Sequence, residues 1–409
     1  MHVLAVTDYL NNVGGAEISA KTIVRGLTSI PAIDRVSVVG IDLSGHSHLD
    51  YGEASVHSVS LSRSVDSIPD LISDSMIASL LGRKITKLDQ DIDIIHAHHR
   101  RATHAVTYSN STTPCVSTVR DYWPTCPISV YSIGEKQCTG CENDLDECLA
   151  YQGWNGIDEQ FRRMYLKQKR ERNRERFNSD YTVFISEFLK DTIEREETID
   201  GHSTVIYNPV DIPSIEVADD RQERTLVTAS RLSAVKGIDT AIHAVAALVE
   251  RYPDLTLSIY GDGPERSELE DIVQHLGIED NVTFHGKEPV ETVYEAMASA
   301  TATVFPSLWQ EPFGRVTVES WLLGTPVIGS DVGGIGELIQ HGDTGYVFSP
   351  GNHKELANHV QTLLETPERC EEMGKAGRTF AERFRPSNVA AAYTEVYSEL
   401  LSSKSSTSG

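Results

Sequence analysis

Along nearly all of the 409 residues, apolar runs of strand length alternate with runs of helical spacing, and that alternation permits few folds. HVLAVTDY, VSVVGID, ASVHSVSL, IDIIHAHH, CVSTVRD, YTVFIS and STVIYNP read as strands in the first half. TLVTASRL, LTLSIYG, NVTFHG, ATATVF and PVIG continue the series in the second. Between them stand helices such as AEISAKTIVRGL, SDSMIASLLGRKITKLDQ, GIDTAIHAVAALVERY, ERSELEDIVQHLG and VETVYEAMASA. Repeated αβ units imply α/β domains with parallel sheets, whose ligands bind at the carboxyl ends of the strands. The length suits two cores, and the acidic, patternless IPSIEVADDRQE puts the boundary near residue 210, between domains 1–209 and 210–384. PSNVAAAYTEVYSELL, within 385–401, carries Val389, Tyr393, Val396, Tyr397 and Leu400 on one helical stripe, and the polar 402–409 is expected to be disordered.

The formal charge of −24, from 60 acidic and 36 basic residues, argues against nucleic-acid binding. It fits a halophilic source, where concentrated salt screens the self-repulsion; an ordinary acidic enzyme is the alternative. No apolar run approaches the ~20 residues of a membrane span. MHVLAVTDYL lacks a charged head and a cleavage site, so it reads as a first strand and a cytoplasmic protein is expected. Against the acidic background, FRRMYLKQKRERNRERF carries Arg162, Arg163, Lys167, Lys169, Arg170, Arg172, Arg174 and Arg176. Its apolar face, Phe161, Met164 and Tyr165, lasts little more than one turn, which leaves both a peripheral membrane contact and a solvated basic face open.

Residues 307–334, SLWQEPFGRVTVESWLLGTPVIGSDVGG, concentrate the chemistry. Pro312 and Gly314 suit a tight loop, and Arg315 to Leu323 reads as a helix whose first amides can face a phosphate. At roughly 1.5 Å per residue, Glu311 and Glu319 reach opposite ends of one long ligand, such as the hydroxyls of two sugars bridged by a diphosphate. Arg231 and Lys236 flank an earlier strand-to-helix loop and suit that diphosphate. Gly14 and Gly15 stand where the first strand turns into a helix, so the backbone there can approach a phosphate.

The fourth strand ends on His96, His98 and His99, followed by Arg100 and Arg101; His98 and His99 are either ligand-facing or hydrogen-bonded at the strand end. Arg120 and Asp121 reach the same rim. Asp89, Asp91 and Asp93 spell D-x-D-x-D at the wrong end of the strand, so they read as solvated charges. Gly261 and Gly263 of GDG are only a fragment of a dinucleotide fingerprint. Cys126, Cys138, Cys141 and Cys148, within a turn-rich insertion near 126–148, suggest a structural zinc, with free thiols or a redox pair as alternatives.

Taken in order, GGAE, DIIHAH, RDYWPTCP, SRLSAVKG, YGDGPE, FHG, EPFGRVTVE and GTPVIGSDVGGIGELI resemble the GT-B glycosyltransferases of family GT4. The resemblance implies two Rossmann-like doubly wound domains facing a central cleft, with the C-terminal helix crossing back to the first domain. It implies a retaining transfer of sugar from a nucleotide-diphosphate sugar, UDP- or GDP-linked, to a glycan, a lipid-linked glycan or another acceptor. No cofactor is then needed for catalysis. Glu311 would hold sugar hydroxyls, Glu319 the nucleotide ribose, and Arg231 and Lys236 the leaving diphosphate. Gly14, Gly15, Phe313, Gly314, Arg315, Gly261 and Gly263 would complete the donor site, with His98 among the catalytic groups. Many relatives carry His where this chain has Arg120, and guanidinium cannot accept a proton. The acceptor side, expected at His99, Arg100, Arg120 and Asp121, therefore departs from the pattern. A sugar phosphorylase or epimerase on the same fold, or a non-catalytic nucleotide-sugar-binding module, are the competing readings.

Overall fold

The computed structural model describes residues 1–11, 14–43, 49–61, 70–88, 91–133, 136–141, 143–151, 158–177, 179–213 and 224–407. Asp89, Ser408, Gly409 and most of the acidic boundary segment therefore lie outside the described residues. The chain divides into two compact units, one of residues 1–131, 138–210 and 384–409, the other of 132–137 and 211–383.

The first unit is built on a parallel sheet of β1 (His2–Tyr9), β2 (Arg35–Leu43), β3 (Ser55–Leu61), β4 (Ile94–Ala97) and β5 (Cys115–Val119), with β8 (Tyr181–Phe184) and β9 (His202–Val205). The short hairpin β6 (Ser132–Ile133) and β7 (Lys136–Gln137) stands apart as a two-stranded sheet. The large sheet has the order β3-β2-β1-β4-β5-β8-β9. Successive strand side chains point to opposite faces, so a strand covered on both sides must be apolar throughout. In β1, Val3 and Ala5 join the core around α1 (Gly15–Leu27), while Leu4 and Val6 join the core around α2 (Asp70–Leu88) and α3 (Arg100–Ser109).

α4 (Leu145–Tyr151), α5 (Glu159–Arg176) and α6 (Glu187–Glu196) complete the middle of this unit, and α14 (Pro386–Thr407) closes it. α14 buries Val389, Tyr393, Val396, Tyr397 and Leu400 against α1 and β1, the stripe read from the sequence. It runs to Thr407, where disorder from residue 402 was expected. The hydroxyls of Ser402 and Ser403 bond back to carbonyls of the preceding turn, Ser402 Oγ to Ser398 O at 2.7 Å and Ser403 Oγ to Leu400 O at 2.9 Å.

The second unit repeats the plan with β10 (Thr225–Ala229), β11 (Thr256–Tyr260), β12 (Val282–Gly286), β13 (Ala302–Phe305), β14 (Val327–Ser330) and β15 (Gly345–Phe348), ordered β12-β11-β10-β13-β14-β15. Its helices are α7 (Ile238–Ala246), α8 (Arg266–Leu276), α9 (Val290–Ser299), α10 (Arg315–Leu322), α11 (Gly333–Leu338), α12 (His353–Glu365) and α13 (Pro367–Ala381). α7 stops short of the expected Tyr252, because after Ala246 the backbone tightens into turns such as Leu248 N to Val245 O, 2.8 Å. Among the described residues no helix is long and apolar enough to cross a membrane.

Burial holds three histidines of the first unit, His96, His98 and His104, well below the ordinary imidazole value of 6.5, with neighbouring cations lowering them further. The folded chain keeps them neutral while the unfolded chain takes up protons near pH ~6.5. Stability is therefore complete above that pH and is lost on acidification, by up to about 1.4 kcal/mol per pH unit for each histidine. Urea midpoints should fall between pH 7.5 and 5.5, and fall less in a His104→Gln variant. A midpoint independent of pH in both proteins would show that these rings titrate freely.

Candidate active site

In the second unit the chain builds outward from β10 to β12, then returns to β13 on the other side, so the loops after β10 and β13 meet at the topological switch point. After β10, a single 3-10 turn, Ala234–Lys236, is closed by Gly237 with φ +60°, where a Cβ would collide with Pro306 O. After β13, Leu308 N and Trp309 N both donate to Val235 O, at 2.9 and 3.1 Å. These bonds stitch the two loops together and bring Lys236 Nζ into an ion pair with Glu311 Oε1. Lys236 also lies 5.0 Å from the centre of the Trp309 ring, and Ser307 Oγ donates to Glu311 Oε1 at 3.4 Å. Glu311 is only 8% exposed. A buried carboxylate of this kind is tolerable because its partner is an ammonium group.

The backbone of Glu311 is fixed from behind. Gly334 N donates to Glu311 O at 2.7 Å, and Gly333 N donates to the Gln310 side-chain oxygen at 2.8 Å. Gly314, at φ +85°, caps α10 without a side-chain bond and leaves the first amides of that helix unsatisfied by any cap. Phe313 is buried beside it. One turn on, Glu319 Oε1 accepts from Arg315 Nε at 2.6 Å and from the Tyr294 hydroxyl at 3.0 Å.

The neighbours of the other donor-side residues are also defined. Arg315, expected on the donor, is the ion-pair partner of Glu319, because the i,i+4 spacing on α10 brings them together. Gly261 and Gly263 are packing positions: a Cβ at either would strike the carbonyl of Ser230 or Leu232, so they let the loop after β11 lie against the loop carrying Arg231. Arg231 is exposed and makes no side-chain bond among the described residues. Tyr294 was missed, since nothing local in VETVYEAMASA marks its hydroxyl; burial first, then the Glu319 charge, raises its pKa.

In the first unit the corresponding switch point lies between β1 and β4. Gly14 caps α1 in an extended conformation, and a Cβ on Gly15 would meet nothing within 4 Å, so the start of α1 is open to a ligand. His96 belongs to the core, bonding the Tyr397 hydroxyl at 2.6 Å and Thr118 Oγ1 at 2.7 Å. His98 is buried and stacks on His96 with ring centres 3.8 Å apart. Arg120, also buried, donates from Nε to His98 O at 3.1 Å and from Nη1 to Asn208 Oδ1, and its Nη2 faces His98 Nδ1 at 3.4 Å. His99 is half-buried with Nε2 3.6 Å from Asp121 Oδ2, while Asp121 Oδ1 accepts from Trp123 N at 2.8 Å.

Arg100 is not a free cation of the acceptor rim. With Arg101 it pairs with Asp74 of α2, Arg100 at 2.8 Å, an ion pair between distant segments that no local pattern announces. Asp91 and Asp93 are exposed, and Asp93 is not merely solvated, since its Oδ2 accepts from His2 N at 2.7 Å.

Much of the charge of the basic stretch on α5 is paired within its own unit, while Phe161 and Met164 are exposed. Arg163 pairs with Asp146 and Glu159, Arg170 with Glu196 and Glu197, and Arg174 with Glu197, while Arg176 stacks over Tyr108. Lys169 is buried. A cavity of about 480 Å³ lies along this helix beside Cys141, but most of the cations lining it already hold carboxylates, so it is no free anion site. The helix is thus charge-bonded to its own unit.

The expected zinc set is not assembled. No group of three His, Cys, Asp or Glu was found among the described residues that could hold a metal ion, and none of the six cysteines is in a disulfide. Burial raises the thiols of Cys126, Cys138, Cys141 and Cys148, those of Cys138 and Cys148 to about 11 and of Cys141 to about 12, and for the last three the neighbouring cysteines raise them further. Gly140 N donates to Cys138 Sγ at 3.4 Å.

Residues 13–213 match the family description "Glycosyltransferase Family 4", and residues 214–380 match "Glycosyl transferases group 1". The chain belongs to the GT-B glycosyltransferases of family GT4. A similar GT4 relative by sequence is N-acetyl-alpha-D-glucosaminyl L-malate synthase of Bacillus anthracis, 36% identical over 180 residues, which are 44% of this chain and 46% of that protein. The matched stretch thus spans about half the length of that relative. GT-B structures superpose over almost the whole chain. Anabaena Alr3699/HepE in complex with UDP has a TM-score of 0.67 at 22% identity, covering 98% of this chain and 100% of that one. Sucrose-phosphate synthase of Thermosynechococcus elongatus has a TM-score of 0.71 at 19% identity, with the same coverages of 98% and 100%.

Proposed function

We propose that this GT4 chain is a retaining glycosyltransferase that moves a sugar from a nucleotide-diphosphate sugar to a hydroxyl of a glycan, a lipid-linked glycan or a related acceptor. The observation that carries the reading is the Lys236–Glu311 pair, held by the two loops of the β10–β13 switch point. A sugar diphosphate presents hydroxyls and negative phosphate oxygens a few ångströms apart. An ammonium and a carboxylate in mutual contact match that order of charges, and each loses its partner only when the ligand supplies a better one.

Departure of the diphosphate builds positive character on the sugar and negative charge on the leaving oxygen. Lys236, Arg231 and the amides of Gly314 and Arg315 stabilise that oxygen; Lys236 and the amides are fixed in advance and need no reorganisation as the charge develops, whereas Arg231, exposed and unbonded among the described residues, closes on the diphosphate. Glu311 takes sugar hydroxyls, and Glu319, held by Arg315 and Tyr294, takes the ribose. In the first unit Gly15 offers a further open amide, and His98 and His99 stand by the acceptor hydroxyl. The departing phosphate oxygen takes that hydroxyl's proton, so no carboxylate nucleophile is needed. Several of the neighbouring structures are complexes with UDP or UDP-glucose, which supports a uridine donor.

A thermal-shift screen of UDP-, GDP- and ADP-sugars tests the donor class, because a ligand at 100 times its Kd adds about 2.7 kcal/mol. One nucleotide series should raise the melting temperature, and product formed with that donor should keep the anomeric configuration by proton NMR. If no nucleotide sugar shifts the protein, the reading fails; inversion would remove the retaining mechanism alone. We also read the charge of −24 as an adaptation to salt, so the melting temperature should climb as KCl rises toward ~1 M, where the Debye length falls to about 3 Å.

A further inference from the structure

Arg120 is a buried guanidinium with no counter-ion. It is 6% exposed, and among the described residues no carboxylate comes within ion-pair distance of it. Its side-chain partners are a carbonyl, an amide oxygen and an imidazole nitrogen, all neutral. Guanidinium has five N–H groups and no acceptor, so two of its hydrogens remain after these three contacts. Burying an ion costs several kcal/mol unless an opposite charge answers it.

The neighbouring imidazole completes the pattern. Arg120 Nη2 can only donate, so the His98 Nδ1 facing it accepts, and the ring proton sits on Nε2. His98 Nε2 is buried and has no partner. The place where β4 and β5 end therefore presents unfilled donors from two side chains and an uncompensated positive charge. Water could satisfy the donors, but it could not answer the charge. One acid, Glu17, lies in electrostatic reach without a bond to Arg120; burial raises its carboxyl above the ordinary value, while His99 and Arg120 pull it down.

We infer that Arg120, with His98 Nε2, binds an anionic oxygen of the substrate, a carboxylate or a phosphate, and makes this GT4 enzyme selective for an acidic sugar substrate. Arg120 is on this account a specificity-determining residue. The inference takes from the proposed function only the expectation that the ligand is a sugar; the anion locus itself can be read without donor or turnover.

The experiment is a set of equilibrium titrations of the full chain and of Arg120→Gln, in the lowest salt at which both are folded, with glucuronate, glucose, UDP-glucuronate and UDP-glucose. Wild type should bind glucuronate at least ~10-fold more tightly than glucose, and the variant should show no preference. Unliganded Arg120→Gln should melt at or above the wild-type temperature, since it removes a charge that nothing in the unit compensates. If the preference for the uronate persists within the UDP-sugar pair, the anion belongs to the donor sugar. If the two UDP-sugars bind alike while free glucuronate is still preferred, it belongs to the acceptor.

Equal binding of glucuronate and glucose by wild type overturns the inference, and this arm stands even if the variant does not fold. A variant that melts well below wild type and keeps the preference for glucuronate also overturns it, since Arg120 would then be a structural tie to His98 and Asn208. Failure of every nucleotide sugar to bind would instead remove the proposed glycosyl transfer and leave the contrast between the free sugars intact.

Discussion

Lys236→Ala should lower turnover at saturating donor by about 10²–10³, the loss expected when one preorganised donor to a developing anion is removed. The ammonium is placed by three features: the tight turn Ala234–Lys236, the Gly237 backbone pressed on Pro306, and the two amides that donate to Val235 O. Alanine leaves the backbone bonds in place and removes only the charge. Glu311 then sits buried without its ammonium, so the variant should also lose stability. The two effects separate in a pair of measurements. Adding Glu311→Gln to Lys236→Ala should restore much of the melting temperature, because a neutral amide no longer needs the cation, but should leave turnover low. Turnover equal to wild type in Lys236→Ala would take this residue out of the leaving-group site.

Gly333→Ala is expected to be nearly as damaging without touching any charge. At φ +52° the position is unfavourable for any residue with a Cβ, and that Cβ would overlap the Glu311 carbonyl oxygen and lie 2.7 Å from its nitrogen. The chain can accept alanine only by moving the Glu311 backbone, and a displacement of about 1 Å in a positioning group costs about 10²-fold in rate. kcat/KM should fall on that scale, while the fold survives with a loss of about 1–3 kcal/mol. Gly277→Ala is the control, since Gly277 has φ +68° but open space around its Cβ position. It carries the same backbone strain and should leave kcat/KM unchanged. If both glycine variants keep full kcat/KM, Glu311 does not depend on its backing by Gly333.

The regular architecture was legible because period-two and period-3.6 apolar patterns are local properties of the chain. Every strand of the two sheets except β15 had an apolar run that announced it, and the stripe on α14 named its own buried residues. The helix after Gly314 could be read because glycine and proline mark where backbone geometry changes. What stayed hidden was pairing between distant segments. Asp74 lies on a helix with nothing to single it out, yet it takes Arg100 away from the acceptor rim. Glu196 and Glu197 do the same for the basic stripe of α5, and Tyr294 for Glu319. Gly261 and Gly263 lie against the carbonyls of Ser230 and Leu232, a packing demand that the motif alone did not announce.

α14 has a bearing on how the chain comes off the ribosome. Its tyrosines fill the first unit beside β1 and α1, and Tyr397 supplies the bond that holds His96. All of residues 1–210 are made well before these groups exist, whereas the second unit has every one of its strands in hand once residue 348 has been added. The first unit therefore cannot close its core until α14 has been made and docked, and before that β1 and α1 present the apolar trough that Val389, Tyr393, Val396, Tyr397 and Leu400 fill.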